Sequence, residues 1–279
     1  VRLVDTHCHL QAEAFASDVA EVLVAAQLAG VERILVPGWD EASSVAALGL
    51  IDRFPRLAGV AVGVHPHAAS EADAAAWERI TALAGDARVV AIGETGLDFD
   101  RMFSPVAAQL ANLRRNLALA VTTGKPAILH CRSNAGERDA QDALIDELRA
   151  AGFGTRRVGV AFGERPPAIL HSVSGPVDYV EAALALGCAV SVSGLAFRRG
   201  EEATAESVRL VPPDRILVET DAPYLSPPGA PRRRNEPEWV RVTAQWVAER
   251  RGEDPDELGA RLVANHDRIF GSGMTAATG

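Results

Sequence analysis

Residues 1–10 read VRLVDTHCHL. A short apolar run leads into acidic and imidazole side chains, and His7 and His9 stand two apart. Strand side chains repeat every two residues, so both imidazoles leave the same face. Read as a strand, the segment delivers two metal-binding nitrogens at its C-terminal end. Comparable runs rich in Val, Ile and Leu begin at Leu3, Arg33, Leu57, Arg88, Pro126, Ala168, Cys188 and Arg215. They are continuous rather than alternating, as suits strands buried on both faces of a parallel sheet. Helical patterns separate them: 17–29 with Ser17 as N-cap and Gly30 as stop, then 43–53, 71–84, 107–120, 140–150, 177–186 and 201–210. Two more, 238–250 and 256–269, follow the last strand, the second opened by Glu253-Asp254-Pro255. Eight alternations predict a (β/α)8 barrel with an extra C-terminal helix rather than an open sheet. One domain is expected over 1–271, with 272–279 a frayed tail, 152–167 a long connection and 226–237 a surface loop.

Composition narrows the function. The net charge of −9 argues against binding nucleic acid by bulk electrostatics, which needs an excess of Lys and Arg. It leaves room for an enzyme that grips one or two phosphates. The three cysteines form no C-x-x-C pair, which favours free thiols in a reducing cytoplasm over disulfides or a zinc knuckle. No run reaches the roughly 18 apolar residues of a membrane span, and the first residues lack the pattern of a signal peptide. A cytoplasmic enzyme without a membrane anchor or an evident obligate protein partner is expected.

Barrel active sites lie at the C-terminal ends of the strands. His7 and His9 end the first run, His65 the third, Glu94 the fourth with Asp98 just beyond, His130 the fifth, His171 the sixth and Asp221 the eighth. Imidazoles and carboxylates gathered in one dry pocket need a cation to offset desolvation and like-charge repulsion. The donors are too many for one tetrahedral ion. A pair of divalent ions bridged by a carboxylate, with Glu94 the natural bridge, is the economical solution, its identity open among Mg, Mn and Zn. The only lysine, Lys125, precedes the fifth strand, so a carboxylated lysine is excluded as the bridge.

Nine motifs then give a specific resemblance: VDTHCHL, GVHPH, AIGETGLDF, GKPAILHCR, ILHSVSG, VSVSGLAF, RILVETDAPYLSP, RRNEP and Asn265-x-x-Arg268-Ile269-Phe270. In this order and over nearly the whole chain they resemble the TatD family of metal-dependent deoxyribonucleases. The resemblance implies 3′-to-5′ exonuclease action on single-stranded or damaged DNA, with DNA as a transient partner. It implies one ion on His7, His9 and Asp221, a second on His130 and His171, Glu94 shared, and His65 on the phosphate. The chain departs from the pattern in having Ser172-Val173 for a Cys-Phe pair and Leu113 and Asn116 for Phe and Gln.

The expected reaction is in-line attack of an activated water on phosphorus, with Asp221 orienting the water and accepting its proton. Arg132 and Asn235 are expected at the phosphate, although Arg132 would equally serve an ion pair with Glu137. Asp98 either caps the turn after Glu94 or holds a ligand histidine by a hydrogen bond. Arg232–Arg234 either track a DNA backbone or form a solvated surface. Phe99, Phe103 and Tyr224 are read as packing at the barrel mouth rather than as base-stacking rings, and His67 and His266 as structural or solvent-facing. A hydrolase of a small phosphoester, lactone or amide, and a non-catalytic binding protein, are the alternatives.

Overall fold

The computed structural model describes residues 1–55 and 57–271. Eight parallel strands lie in the order of the chain: β1 (Leu3–Asp5), β2 (Val31–Pro37), β3 (Gly59–Val62), β4 (Val89–Asp98), β5 (Ala127–Arg132), β6 (Ala168–Leu170), β7 (Ala189–Val192) and β8 (Ile216–Val218). The last strand returns to the first: the Thr6 amide donates to the Val218 carbonyl at 3.1 Å, Asp221 N to His7 O at 2.9 Å, and His9 N to Ala222 O at 2.8 Å. The expected (β/α)8 barrel is therefore present.

Helices α1 (Val19–Leu28), α2 (Glu41–Arg53), α3 (Ala74–Leu83), α4 (Val106–Thr123), α5 (Asp139–Ala150), α6 (Arg156–Phe162), α7 (Val177–Ala185) and α8 (Glu202–Leu210) occupy the crossovers. Two more, α9 (Val240–Arg251) and α10 (Pro255–Phe270), follow β8. Local chemistry sets their starts. Asp40 and Ser43 form a capping box on α2. Asp254 accepts from the amides of Asp256 and Glu257 ahead of Pro255.

Two expectations need correction. Ser17 is not the cap of α1: it lies in a turn, and Asp18, at the cap position, spends its carboxylate on Arg234 at 2.8 and 2.9 Å. The connection 152–167 is not irregular throughout, because α6 buries Val158 and Phe162, four apart on one helical face. The tail 272–279 lies outside the described residues. Among the described residues, no helix is long and apolar enough to cross a membrane.

The barrel interior is layered. Leu35, Ala61, Ala91, Ile128, Ile169, Ala189 and Leu217, one from each of β2 to β8, form an apolar layer. Ile269 and Phe270 from the end of α10 join it and close the N-terminal mouth. Two residues further along the same faces stand His130, His171, Ser191 and Glu219, and two further still Arg132, Ser193 and Asp221. The strand period thus converts an apolar floor into a polar chamber within two residues.

Candidate metal centre

A cavity of about 810 Å³ opens at the C-terminal mouth. Its lining includes His9, His65, Glu94, His130, His171 and Asp221, and His7 lies buried just beneath. All six proposed metal-binding side chains converge here, with His65 beside them.

Glu94 stands at the centre, and its two oxygens face different groups. Oε2 lies 3.2 Å from His7 Nε2 and 3.6 Å from His9 Nε2. Oε1 lies 3.2 Å from His65 Nε2, 3.1 Å from His130 Nδ1 and 3.2 Å from His171 Nε2. Asp221 Oδ1 adds a second carboxylate on the first side, 3.6 Å from His7 Nε2 and 3.4 Å from His9 Nε2. Asp221 adopts φ +54, and Ser172, just past His171, φ +42. Left-handed backbone at non-glycine residues is costly and collects at functional sites. Gly96 matters too: at φ +141, a Cβ there would collide with the His130 carbonyl oxygen.

The outer nitrogens of three imidazoles are pinned. His9 Nδ1 lies 3.2 Å from the Pro37 carbonyl, which can only accept. His130 Nε2 lies 3.2 Å from Asp98 Oδ2, and His171 Nδ1 2.8 Å from Glu219 Oε1. Each outer nitrogen must therefore carry the proton, which leaves the inner nitrogen of a neutral ring as a lone pair aimed into the chamber. This is how histidines are oriented for metals. His65 is built the other way. Its Nδ1 accepts from the His67 amide at 3.1 Å, so a neutral ring points an N–H, not a lone pair, at Glu94.

The electrostatics agree with cation-binding. Burial alone would raise the Glu94 pKa, but the imidazoles of His65, His171 and His7 outweigh it and hold the carboxylate well below its usual range. Burial of His171 is overcome by Glu219 and Glu94, so its pKa is raised, and that of Glu219 falls to about 2. His9 and His130 are raised by neighbouring carboxylates against their own desolvation. His65 goes the other way, pushed down to about 4 chiefly by burial. Negative charge is thus concentrated on Glu94 and Glu219 in the polar chamber, with imidazole nitrogens around it.

Asp98 does both things the sequence left open. Its Oδ1 accepts from the amides of Asp100 and Arg101 at 3.1 and 2.8 Å, and its Oδ2 holds His130 and His67. Asn235 is not at the cavity. It is fully buried, with Nδ2 donating to the Thr220 carbonyl at 2.9 Å and Oδ1 accepting from the Glu236 amide, and so secures the loop after β8 instead of facing a substrate. Arg132 does line the cavity, and its guanidinium makes neither the ion pair with Glu137 nor any other hydrogen bond among the described residues; Glu201 is the carboxylate near it. In the basic run, Arg234 is committed to Asp18 and Glu236, while Arg232 and Arg233 are exposed.

Four further positions stand at the site without having been read there from the sequence. Glu219 accepts from the Ser172 amide at 2.6 Å as well as from His171, and the Ser172 hydroxyl lies 2.9 Å from it. Its signal was present: it lies two residues past Leu217, in step with the inward face of β8. Asp5, fully buried, accepts from the His7 amide at 3.3 Å and the Thr220 amide at 2.9 Å, tying β1 to the turn that carries Asp221. His67, read as structural or solvent-facing, lines the cavity and bonds Asp98 at 2.8 Å. Trp39 lines the cavity with its ring edge-on to His9 at 5.3 Å.

Residues 4–271 match the family model described as TatD related DNase. A 3′-5′ ssDNA/RNA exonuclease TatD from Yersinia pseudotuberculosis is 38% identical, covering 96% of this chain and 99% of its own. The protein of the same name from Erwinia billingiae is 36% identical, with 96% and 98% covered. Among solved structures, a TatD homologue from Escherichia coli superposes with a TM-score of 0.83 at 28% identity, covering 96% of this chain and 98% of its own. A PTE-like lactonase from Deinococcus radiodurans, at 16% identity and a TM-score of 0.60 over 96% and 95% of the two chains, shares the fold alone. The chain belongs to the TatD family of related DNases.

Proposed function

We propose that this protein is a metal-dependent phosphodiesterase that removes nucleotides from the 3′ end of single-stranded nucleic acid, with a pair of divalent cations held across Glu94. The observation that carries the reading is the division of labour at Glu94: two oxygens, each facing its own set of imidazoles, with the outer nitrogens of His9, His130 and His171 pinned. His7, His9 and Asp221 would hold one ion with Glu94 Oε2, and His130 and His171 the other with Oε1. Bound there, the cations would supply positive charge to the non-bridging phosphate oxygens and lower the pKa of the attacking water.

The chain's own residues do the rest. Asp221, at the edge of the chamber, orients the water and takes its proton. His65 Nε2–H donates to a phosphate oxygen, which its pinned tautomer makes it fit to do. Arg132, on the inward face of β5, offers a planar fork to the same or the next phosphate. Asp98 and Glu219 fix the rings of His130 and His171, and Asp5 fixes the two strand ends. The apolar layer below keeps water from the floor, where lower polarity strengthens these interactions. The free thiols at Cys8, Cys131 and Cys188 suit a reducing compartment such as the cytoplasm.

The test is a 5′-labelled single-stranded oligonucleotide incubated with Mg or Mn, beside a duplex, an RNA and a panel of lactones. A metal-dependent ladder shortening from the 3′ end is expected. Hydrolysis confined to the lactones would overturn the reading.

A further inference from the structure

The proposed function leaves the rim of the cavity unassigned. Among the described residues, Phe103, 66% exposed, and Tyr224, 59% exposed, are the only exposed aromatic side chains, and both line this one cavity. A third ring, the half-buried Trp39, lines it as well. The sequence is read as packing Phe103 and Tyr224 at the mouth, yet both side chains are largely exposed to solvent. Large rings left in water around a concave site mark a surface built to be covered by a ligand.

Their contacts place them on two sides of Glu94. The rings of Trp39 and Tyr224 lie edge-on to His9, at 5.3 and 6.1 Å between centroids, beside the group that faces Oε2. Phe103 lies edge-on to His67 at 4.7 Å, and His67 to His65 at 4.3 Å, beside the group that faces Oε1. A phosphodiester seated over Glu94 would send its two nucleosides towards these two sides.

We propose that the rim carries two base-stacking subsites, Trp39 with Tyr224 on one side and Phe103 on the other, one for each nucleoside flanking the scissile phosphate. The inference rests on the proposed function and adds how its substrate is chosen. A stacked base must be unpaired and free on at least one face, so the rings select single strands over duplexes. Every base offers a π face, so they tolerate any sequence. Nothing in this stacking consults the sugar, so DNA and RNA are held alike by the rings. The arrangement also suits a chain of net charge −9, because stacking supplies affinity that bulk electrostatics does not.

The test uses equilibrium binding of a short single-stranded oligonucleotide whose linkages resist cleavage, with a fluorescent adenine analogue at the terminal or penultimate position. Tyr224→Leu and Phe103→Leu remove a ring from an exposed position while keeping apolar bulk. Each is expected to weaken binding by about 5- to 150-fold, the range for one base–aromatic stack. Each loss should vanish against a probe that is abasic at the matching position. Parent-like binding by both variants, or an equal loss against the abasic probe, would overturn the inference. The two readings fail separately. Ring-dependent binding without cleavage of an ordinary oligonucleotide under any metal would sink the hydrolysis and leave the stacking. Cleavage with ring-independent affinity would do the reverse.

Discussion

The two ends of the barrel interior are made from the same strands and have opposite chemistry. On β5, Ile128 and His130 share a face; Ile169 on β6 is followed two residues on by His171, and Leu217 on β8 by Glu219 and then Asp221. At the lower end Ile269 and Phe270 seal an apolar layer. At the upper end carboxylates and imidazoles ring an open cavity. The difference teaches that stability and function are separated here by height along a strand rather than by element. The floor fixes the strands, and the fixed strands hold donors that repel or desolvate one another unless a cation is present. Each end should therefore fail in its own way.

The sharpest contrast comes from the upper end. Glu94→Gln removes charge facing both groups of imidazoles, and activity should fall by roughly four decades, about 5 kcal/mol of transition-state stabilisation, while the circular dichroism stays native. At the lower end, Phe270→Ala should reverse the pattern. Urea unfolding should show a loss of about 3–5 kcal/mol, with turnover per folded molecule close to the parent's. If Phe270→Ala abolishes turnover in fully folded protein, the two ends are not separable. Glu219→Gln should fall between them, because it releases the His171 ring without removing a ligand. Metal affinity is expected to drop about 10- to 100-fold with little change in melting temperature, as read by calorimetric titration.

The smallest effect is in the pH profile of the metal-free protein. His9, His130 and His171 have raised folded pKa values, so their stabilisation is full below their unfolded value of 6.5 and is lost as the pH rises through the folded values. His7 and His65 are lowered, so their contribution is lost as the pH falls below 6.5. Metal-free protein should therefore melt highest near the middle of this range, and added cation should lift the alkaline side selectively by replacing the protons. A melting temperature equally insensitive to pH with and without metal would contradict the assignment. Phe270→Ala should shift the whole curve down without changing its shape.

Much of this was legible in the chain. The barrel followed from eight continuous apolar runs, and the six convergent donors from their places at strand ends, because the strand period alone decides which side chains share a face. What was not legible depended on contacts across the barrel. Glu219 follows β8 yet serves His171 after β6, two strands away, and only the closed sheet brings them together. His67 and Trp39 lie just past strand ends, where loop geometry rather than periodicity sets direction. Asn235 was placed at the mouth because its motif lies in a loop after β8, but that loop turns its amide inward to Thr220. Helix α6 was hidden because seven residues with a central glycine give too short a pattern.

The proposed function turns on one carboxylate, Glu94, shared by two cations. Loading the metal-free protein with manganese and recording its electron paramagnetic resonance spectrum tests this most directly. Two equivalents bound as a spin-coupled pair, with the coupling lost in Glu94→Gln, is the result predicted. A single bound ion, or two ions with uncoupled spectra, would contradict it.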